Sequence, residues 1–226
     1  YRRNRNAHAW LLRHEGAPRP WIVCVNGYRT GEAIVDLTSF RAKHLHRDLG
    51  LNVAILVLPL HGPRRVGALS GDRVLHGGVM NLIHTTAQAA YDARRLLSWI
   101  RETQGATAAG IQGLSLGGNV TALVASLDDD LACAIAGIPE ADIVRGVRRT
   151  VEPRLPPFYE QWGLSWLPMQ RVAGVASALT LAPRIAHDRR FIFAGLADRW
   201  VRPGNVAALW EHWGRCEIHW YRGSHL

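Results

Sequence analysis

The chain has 226 residues, 48% of them hydrophobic, and a formal net charge of +9. This length supports one large domain with a full core; no apolar run is long enough to cross a bilayer, and no internal repeat or low-complexity stretch is present. The positive charge is almost all arginine, with Lys43 the only lysine, and it is spread along the chain. Nucleic acid as a partner would call for basic residues clustered with aromatics on one face, so that class is not expected.

Residues 1–20 are basic and irregular, and their one apolar patch, Ala9-Trp10-Leu11-Leu12, reads as an edge strand or a short helix. Residues 21–25, Trp-Ile-Val-Cys-Val, make an unbroken apolar run, the pattern of a strand buried on both faces of a parallel sheet. After a turn at Asn26-Gly27-Tyr28-Arg29-Thr30-Gly31, apolar positions at Ile34, Leu37, Phe40, Leu45 and Leu49 predict one helix over 34–49, stopped by Gly50. Residues 52–58 are a second buried strand, leading into Pro59-Leu60-His61-Gly62-Pro63-Arg64-Arg65. Residues 63–83 show no period and read as a long loop. Then come a helix over 84–102, a strand over 108–112, a helix over 119–127 and a strand over 131–136.

Residues 139–187 interrupt this alternation. Prolines 153, 156, 157 and 168 are interleaved there with Phe158, Tyr159, Trp162, Trp166 and Met169, which predicts a helical cap inserted into the single domain that spans 1–226. Order resumes with a strand over 190–194, a helix from about Gly204 and a last strand over 216–221. The three cysteines, Cys24, Cys133 and Cys216, are odd in number and lack CxxC spacing, so neither a disulfide framework nor a zinc site is expected.

Strands alternating with helices predict an α/β fold, a mostly parallel sheet with helices on both faces, and in such sheets functional groups gather at strand ends. Residues 113–118, Gly-Leu-Ser-Leu-Gly-Gly, form a G-x-S-x-G pattern at a strand-to-helix corner. The corner is so tight that the serine must take a strained backbone, and glycine two residues either side lets strand and helix meet. Two later strand ends offer Asp198 and His225.

On these residues the chain resembles the α/β-hydrolases over nearly its whole length. Gly113-x-Ser115-x-Gly117 is similar to that family's nucleophile elbow, Gly195-x-x-Asp198-x-x-Val201-x-Pro203 to the segment carrying its triad acid, and Gly223-Ser224-His225 to the loop carrying its triad histidine. Asn26-Gly27-Tyr28 stands where the family usually has His-Gly-x, whose last residue lends a main-chain N–H to the oxyanion hole; a faint likeness extends to its poorly characterised domain-containing members. The resemblance implies a catalytic set of Ser115, Asp198 and His225, with Leu116 and Tyr28 as oxyanion donors.

The chemistry implied is acyl transfer. His225 would take the serine proton and Asp198 would hold the imidazole, so a small-molecule ester or thioester would be cleaved through an acyl-enzyme with no metal or organic cofactor. An acyltransferase would use the same residues with an alcohol in place of water, and a non-catalytic binding or scaffold protein would keep only the fold. Glu140 and Asp142 are substitute acids. His61, Trp162 and Trp166 are expected to line the substrate pocket, His61 being also a rival source of the oxyanion loop, while Arg64 and Arg65 read equally as a solvated face or an anion clamp. The want of a closing helix after His225 is what a portion of a longer chain would show.

Overall fold

The structure, a computed structural model, describes residues 1–75, 78–143, 145–146 and 166–225. Among these, His8–Leu12 (β1), Trp21–Val25 (β2), Asn52–Val57 (β3), Ala109–Leu114 (β4), Ala134–Gly137 (β5), Arg190–Gly195 (β6) and Glu217–Tyr221 (β7) form one sheet. Its order is β1-β3-β2-β4-β5-β6-β7. β1 lies at one edge, opposite β7, and runs antiparallel to β3; every other pairing is parallel.

β2 and β3 are buried at every residue. Their side chains alternate between two apolar clusters: Trp21, Val23, Val25, Ala54 and Leu56 enter the larger, and Ile22, Cys24, Val53 and Ile55 the smaller. This explains why both strands lack any polar alternation. The larger cluster is closed by helices α3 (Gly78–Thr103), α4 (Leu116–Ala125) and α6 (Pro203–His212), and the smaller by the segment after α1 (Ala33–Ser39), through Phe40 and Ala42.

The chain lays β3 on one side of β2 and β4 on the other, with Val25 in register with Gly113. The carboxyl ends of β2 and β4 therefore send their loops apart and leave a crevice between them. That crevice is where the serine of the G-x-S-x-G pattern sits.

Several elements differ from the sequence expectation. The single helix over 34–49 is broken: α1 stops at Ser39, Arg41 takes φ +48°, and His44–Asp48 forms a separate π-helical turn. Phe40 and Ala42, on either side of the break, are both buried, while Ile34 is 78% exposed. The expected loop over 63–83 holds a short helix α2 (Asp72–Leu75) and the first turn of α3, which starts six residues before His84. α4 begins at Leu116, not Asn119, because its two glycines are demanded by packing: a Cβ on Gly118 would lie 2.7 Å from the Gly137 carbonyl oxygen. Between 139 and 187 the described residues include α5 (Trp166–Ala173) and 3-10 turns at Gly174–Ala176 and Ala178–Thr180, while residues 147–165, Trp162 among them, lie outside the described residues.

Among the described residues no helix is long and apolar enough to cross a membrane. The three cysteines are free thiols. Burial pushes Cys24 up to about 12 and Cys216 up to about 11, so neither offers a thiolate nucleophile near neutral pH.

Candidate active site

Ser115 joins β4 to α4 with φ +55° and ψ −112°. A side-chain-bearing residue occupies that region only when its surroundings force it. Here the force is close packing: a Cβ on Gly117 would drive into the carbonyl oxygens of Val25 and Asn26, and one on Gly113 into the carbonyl of Gly117. The Ser115 N–H is taken by the Gly137 carbonyl at 2.9 Å. The side chain is thus turned out over the crevice.

There the Ser115 Oγ lies 3.1 Å from His225 Nε2, and His225 Nδ1 lies 2.7 Å from Asp198 Oδ2. With Nδ1–H donating to the carboxylate, Nε2 carries the ring's lone pair and accepts the serine hydroxyl. Asp198 has 1% of its side chain exposed. Its second oxygen accepts the N–H groups of Trp200 at 2.8 Å and Val201 at 3.0 Å, so the carboxylate plane is pinned by the loop that carries it. The alternative acids are engaged elsewhere: Glu140 accepts the Asn205 amide, and Asp142 accepts the Arg145 N–H and the Gln170 amide.

His225 is not a loose end. Its loop is tied to the end of β6 by the Leu196 N–H to the Tyr221 carbonyl at 3.0 Å and the Ala197 N–H to the Gly223 carbonyl at 2.9 Å. The Tyr221 hydroxyl donates to the Ser224 carbonyl at 2.9 Å.

On the other side of the serine lies Gly27, where a Cβ would stand 3.2 Å from the Leu114 carbonyl oxygen and in ordinary contact, at 3.8 Å, with the Ser115 Cβ. Tyr28 follows it immediately. The loop is held by Asn26, fully buried, whose Oδ1 accepts the Leu58 N–H at 2.7 Å while its Nδ2 donates to the Gly27 carbonyl at 2.9 Å and to the Thr30 hydroxyl at 3.2 Å. One side chain therefore clips the end of β2 to the end of β3. Asn26→Ala is expected to cost about 2 kcal/mol in urea unfolding, since it strands the Leu58 N–H, and to slow turnover by loosening Tyr28. Unfolding unchanged in that variant would mean that the loop is held by something else.

His61 does not line this hollow. It is fully buried, its Nδ1–H donating to the Pro59 carbonyl at 2.8 Å and its ring meeting Tyr28 edge-on at 6.2 Å. Burial lowers its pKa to about 4, so it is a neutral packing group behind Tyr28 and supplies no charge to the crevice. Arg64, read as a solvated face or an anion clamp, is instead fully buried and paired with Asp92 at 2.7 Å, whereas Arg65 is half-buried and pairs with Glu32. Of Trp166 only the backbone, at the start of α5, is described.

The hollow above Ser115 has a volume of about 220 Å³ and is walled by Tyr28, Phe40, Leu114 and Trp200 beside Ser115 and His225. Trp200, 74% exposed, stacks on the His225 ring at 6.1 Å. Asp36 also lines it. Its Oδ1 accepts the Gly31 N–H at 3.2 Å, and burial raises its pKa to about 6. Sequence reasoning assigns no role to Trp200, Phe40 or Asp36. A signal is present for each: Trp200 sits two residues past the acid, and Asp36 and Phe40 are one helical turn apart.

No family model matches the chain. Two uncharacterised proteins of Mycobacterium tuberculosis, from strains CDC 1551 and H37Rv, are each 46% identical over 227 residues that cover 100% of this chain and 54% of their own. The chain thus spans about half the length of the curated relatives it matches. Among solved structures, acetyl xylan esterase 1 of Thermoanaerobacterium sp. JW/SL YS485 superposes with a TM-score of 0.68 at 18% identity, over 98% of this chain and 75% of that one. Est1E of Butyrivibrio proteoclasticus with ferulic acid bound gives 0.68 at 16% identity, over 97% and 87%. A puromycin-hydrolysing peptidase of Mycobacterium tuberculosis gives 0.64 at 17% identity, over 97% and 34%.

Proposed function

The chain has the α/β-hydrolase fold, and on that premise we propose that it is a serine hydrolase that cleaves a carboxylic ester or thioester through an acyl-enzyme on Ser115. The observation that carries the reading is the continuous relay from hydroxyl to imidazole to carboxylate, at 3.1 Å and 2.7 Å. Each contact has the length and polarity that general-base activation of a serine requires.

In the first half-reaction the Ser115 proton passes to His225 Nε2 as the oxygen bonds to the substrate carbonyl carbon. The oxyanion so formed would rest on the N–H groups of Leu116, at the first position of α4 where no intrahelical acceptor exists, and of Tyr28. Collapse breaks the bond to the alcohol or thiol, which leaves with the proton from Nε2. Water then repeats the sequence and frees the acid. Asp198 keeps its negative charge throughout and stabilises the imidazolium.

An ester is favoured over an amide by the names of two neighbours, an acetyl xylan esterase and a protein with ferulic acid bound, though a peptidase shares the fold. The hollow's modest volume and apolar walls suit a short acyl or aryl group.

Labelling with a fluorophosphonate probe tests the reading. Wild-type protein should take up one equivalent and Ser115→Ala none; a label that persists in the variant, or an unlabelled wild type that is folded, would reject it.

A further inference from the structure

Trp200 borders the relay, and no step of the proposed acyl transfer uses its side chain. Its backbone N–H donates to the Asp198 carboxylate at 2.8 Å, so the ring's place at the mouth of the hollow is set by the acid itself. The indole is nevertheless 74% exposed and packs in neither apolar cluster of the sheet. Tryptophan is on average well buried, because so large an apolar surface is unfavourable in water.

The ring has one aromatic neighbour among the described residues, the His225 imidazole, with the two planes 29° apart and the centroids 6.1 Å apart. Rings lying directly face to face would be separated by about 3.5 Å. At the observed separation the imidazole is displaced sideways and covers only one edge of the indole. The rest of the indole surface is open, as its exposure shows.

The chemistry decides what must pass beside that surface. When the tetrahedral intermediate collapses, the bond between the carbonyl carbon and the alkoxy oxygen breaks, and that oxygen takes the proton from His225 Nε2. The leaving oxygen must therefore lie within hydrogen-bonding reach of Nε2, and the group it carries extends along the histidine side of the site. Trp200 is the aromatic wall on that side, whereas Tyr28 belongs to the loop across the serine.

We propose that Trp200 is a specificity-determining residue that stacks on a flat aromatic leaving group, so that the preferred substrates are esters of arylmethanols or phenols. The inference rests on the hydrolase reading and adds which end of the ester is selected. An aromatic ring is favoured over a saturated one of the same size because offset-stacked aromatic pairs gain beyond the area they bury. A sugar would call for several hydrogen-bonding side chains, and the Phe40 and Leu114 walls supply none.

Benzyl acetate and cyclohexylmethyl acetate share an acyl group and differ little in size or in the basicity of the departing alcohol. Their kcat/KM ratio reports the steps up to loss of that alcohol. On the full chain it should favour the benzyl ester, and Trp200→Leu should lower it about fivefold, the factor an aromatic pair adds beyond area burial. Trp200→Phe should keep most of the preference. Both variants retain the N–H that holds Asp198, since only proline lacks one. Methyl phenylacetate and methyl cyclohexylacetate put the same two rings on the acyl side, and their ratio should not respond to Trp200. A side chain that only steadied His225 would slow all four esters alike in Trp200→Leu and leave both ratios unchanged, which would overturn the proposal. So would a response confined to the acyl pair, or turnover of neither acetate by a chain that is labelled at Ser115. Fluorophosphonate labelling separates these outcomes from failure of the parent reading: a folded wild type that takes up no probe rejects the serine hydrolase, and this inference with it.

Discussion

Asp198→Asn is expected to lower kcat for a nitrophenyl ester on the order of 10⁴-fold while leaving the chain folded. The reason lies in which atoms the side chain already serves. One Asp198 oxygen accepts two backbone N–H groups, from Trp200 and Val201. An asparagine must keep its carbonyl oxygen there, which turns its NH2 toward His225 Nδ1. That nitrogen can then only accept, so the ring proton moves to Nε2 and faces the serine oxygen. A base with its proton on the wrong side cannot take another. The fold should survive because both loop contacts are kept, and fluorophosphonate labelling should slow by a similar factor. A variant within tenfold of wild type would locate the acid elsewhere, and Glu140 would be the first place to look.

What can be read from the sequence follows physical signals that are local. The strands are legible because burial on both faces demands unbroken apolar runs, and β2 and β3 are buried at every position. The elbow is legible because only glycine clears the carbonyls of Val25 and Asn26 at position 117. The order of Ser115, Asp198 and His225 along the chain points to three strand ends, and the structure brings those three side chains within hydrogen-bonding distance. The break after α1 is not legible. A period of apolar residues cannot reveal a single left-handed residue, Arg41, standing between a buried Phe40 and a buried Ala42, nor that Ile34 is exposed. His61 misleads for a related reason: a histidine before a glycine at a strand end has the same local pattern whether it faces solvent or core. Its surroundings decide, and they come from Tyr28 and the Pro59 carbonyl.

Asp36→Asn should change the pH dependence of stability. In the folded chain the Asp36 carboxyl has its pKa raised from 3.8 to about 6, chiefly because burial penalises its charge, with Glu32 adding to the rise and the Gly31 N–H and Thr30 hydroxyl opposing it. Its Oδ2 is buried without a hydrogen-bond partner of normal geometry among the described residues, the Thr30 hydroxyl donating instead to the Gly27 carbonyl. The sign follows from linkage: between the unfolded and folded pKa values the native state holds the extra proton, so this group's contribution to stability is full below about pH 4 and is lost as pH rises through 6. A shift of about two units corresponds to about 3 kcal/mol. An asparagine at this position has no proton to lose and can still accept the Gly31 N–H, although its NH2 inherits the unpartnered place at a constant cost. Hence the stability difference between variant and wild type, measured by urea unfolding, should move in the variant's favour by about 2 kcal/mol from about pH 4.5 to about 7.5, whatever its absolute value. A difference that stays flat across that range would mean that Asp36 ionises normally in the fold, and with it would fall the view that the wall beside Ser115 and His225 gains a negative charge only as the pH passes about 6.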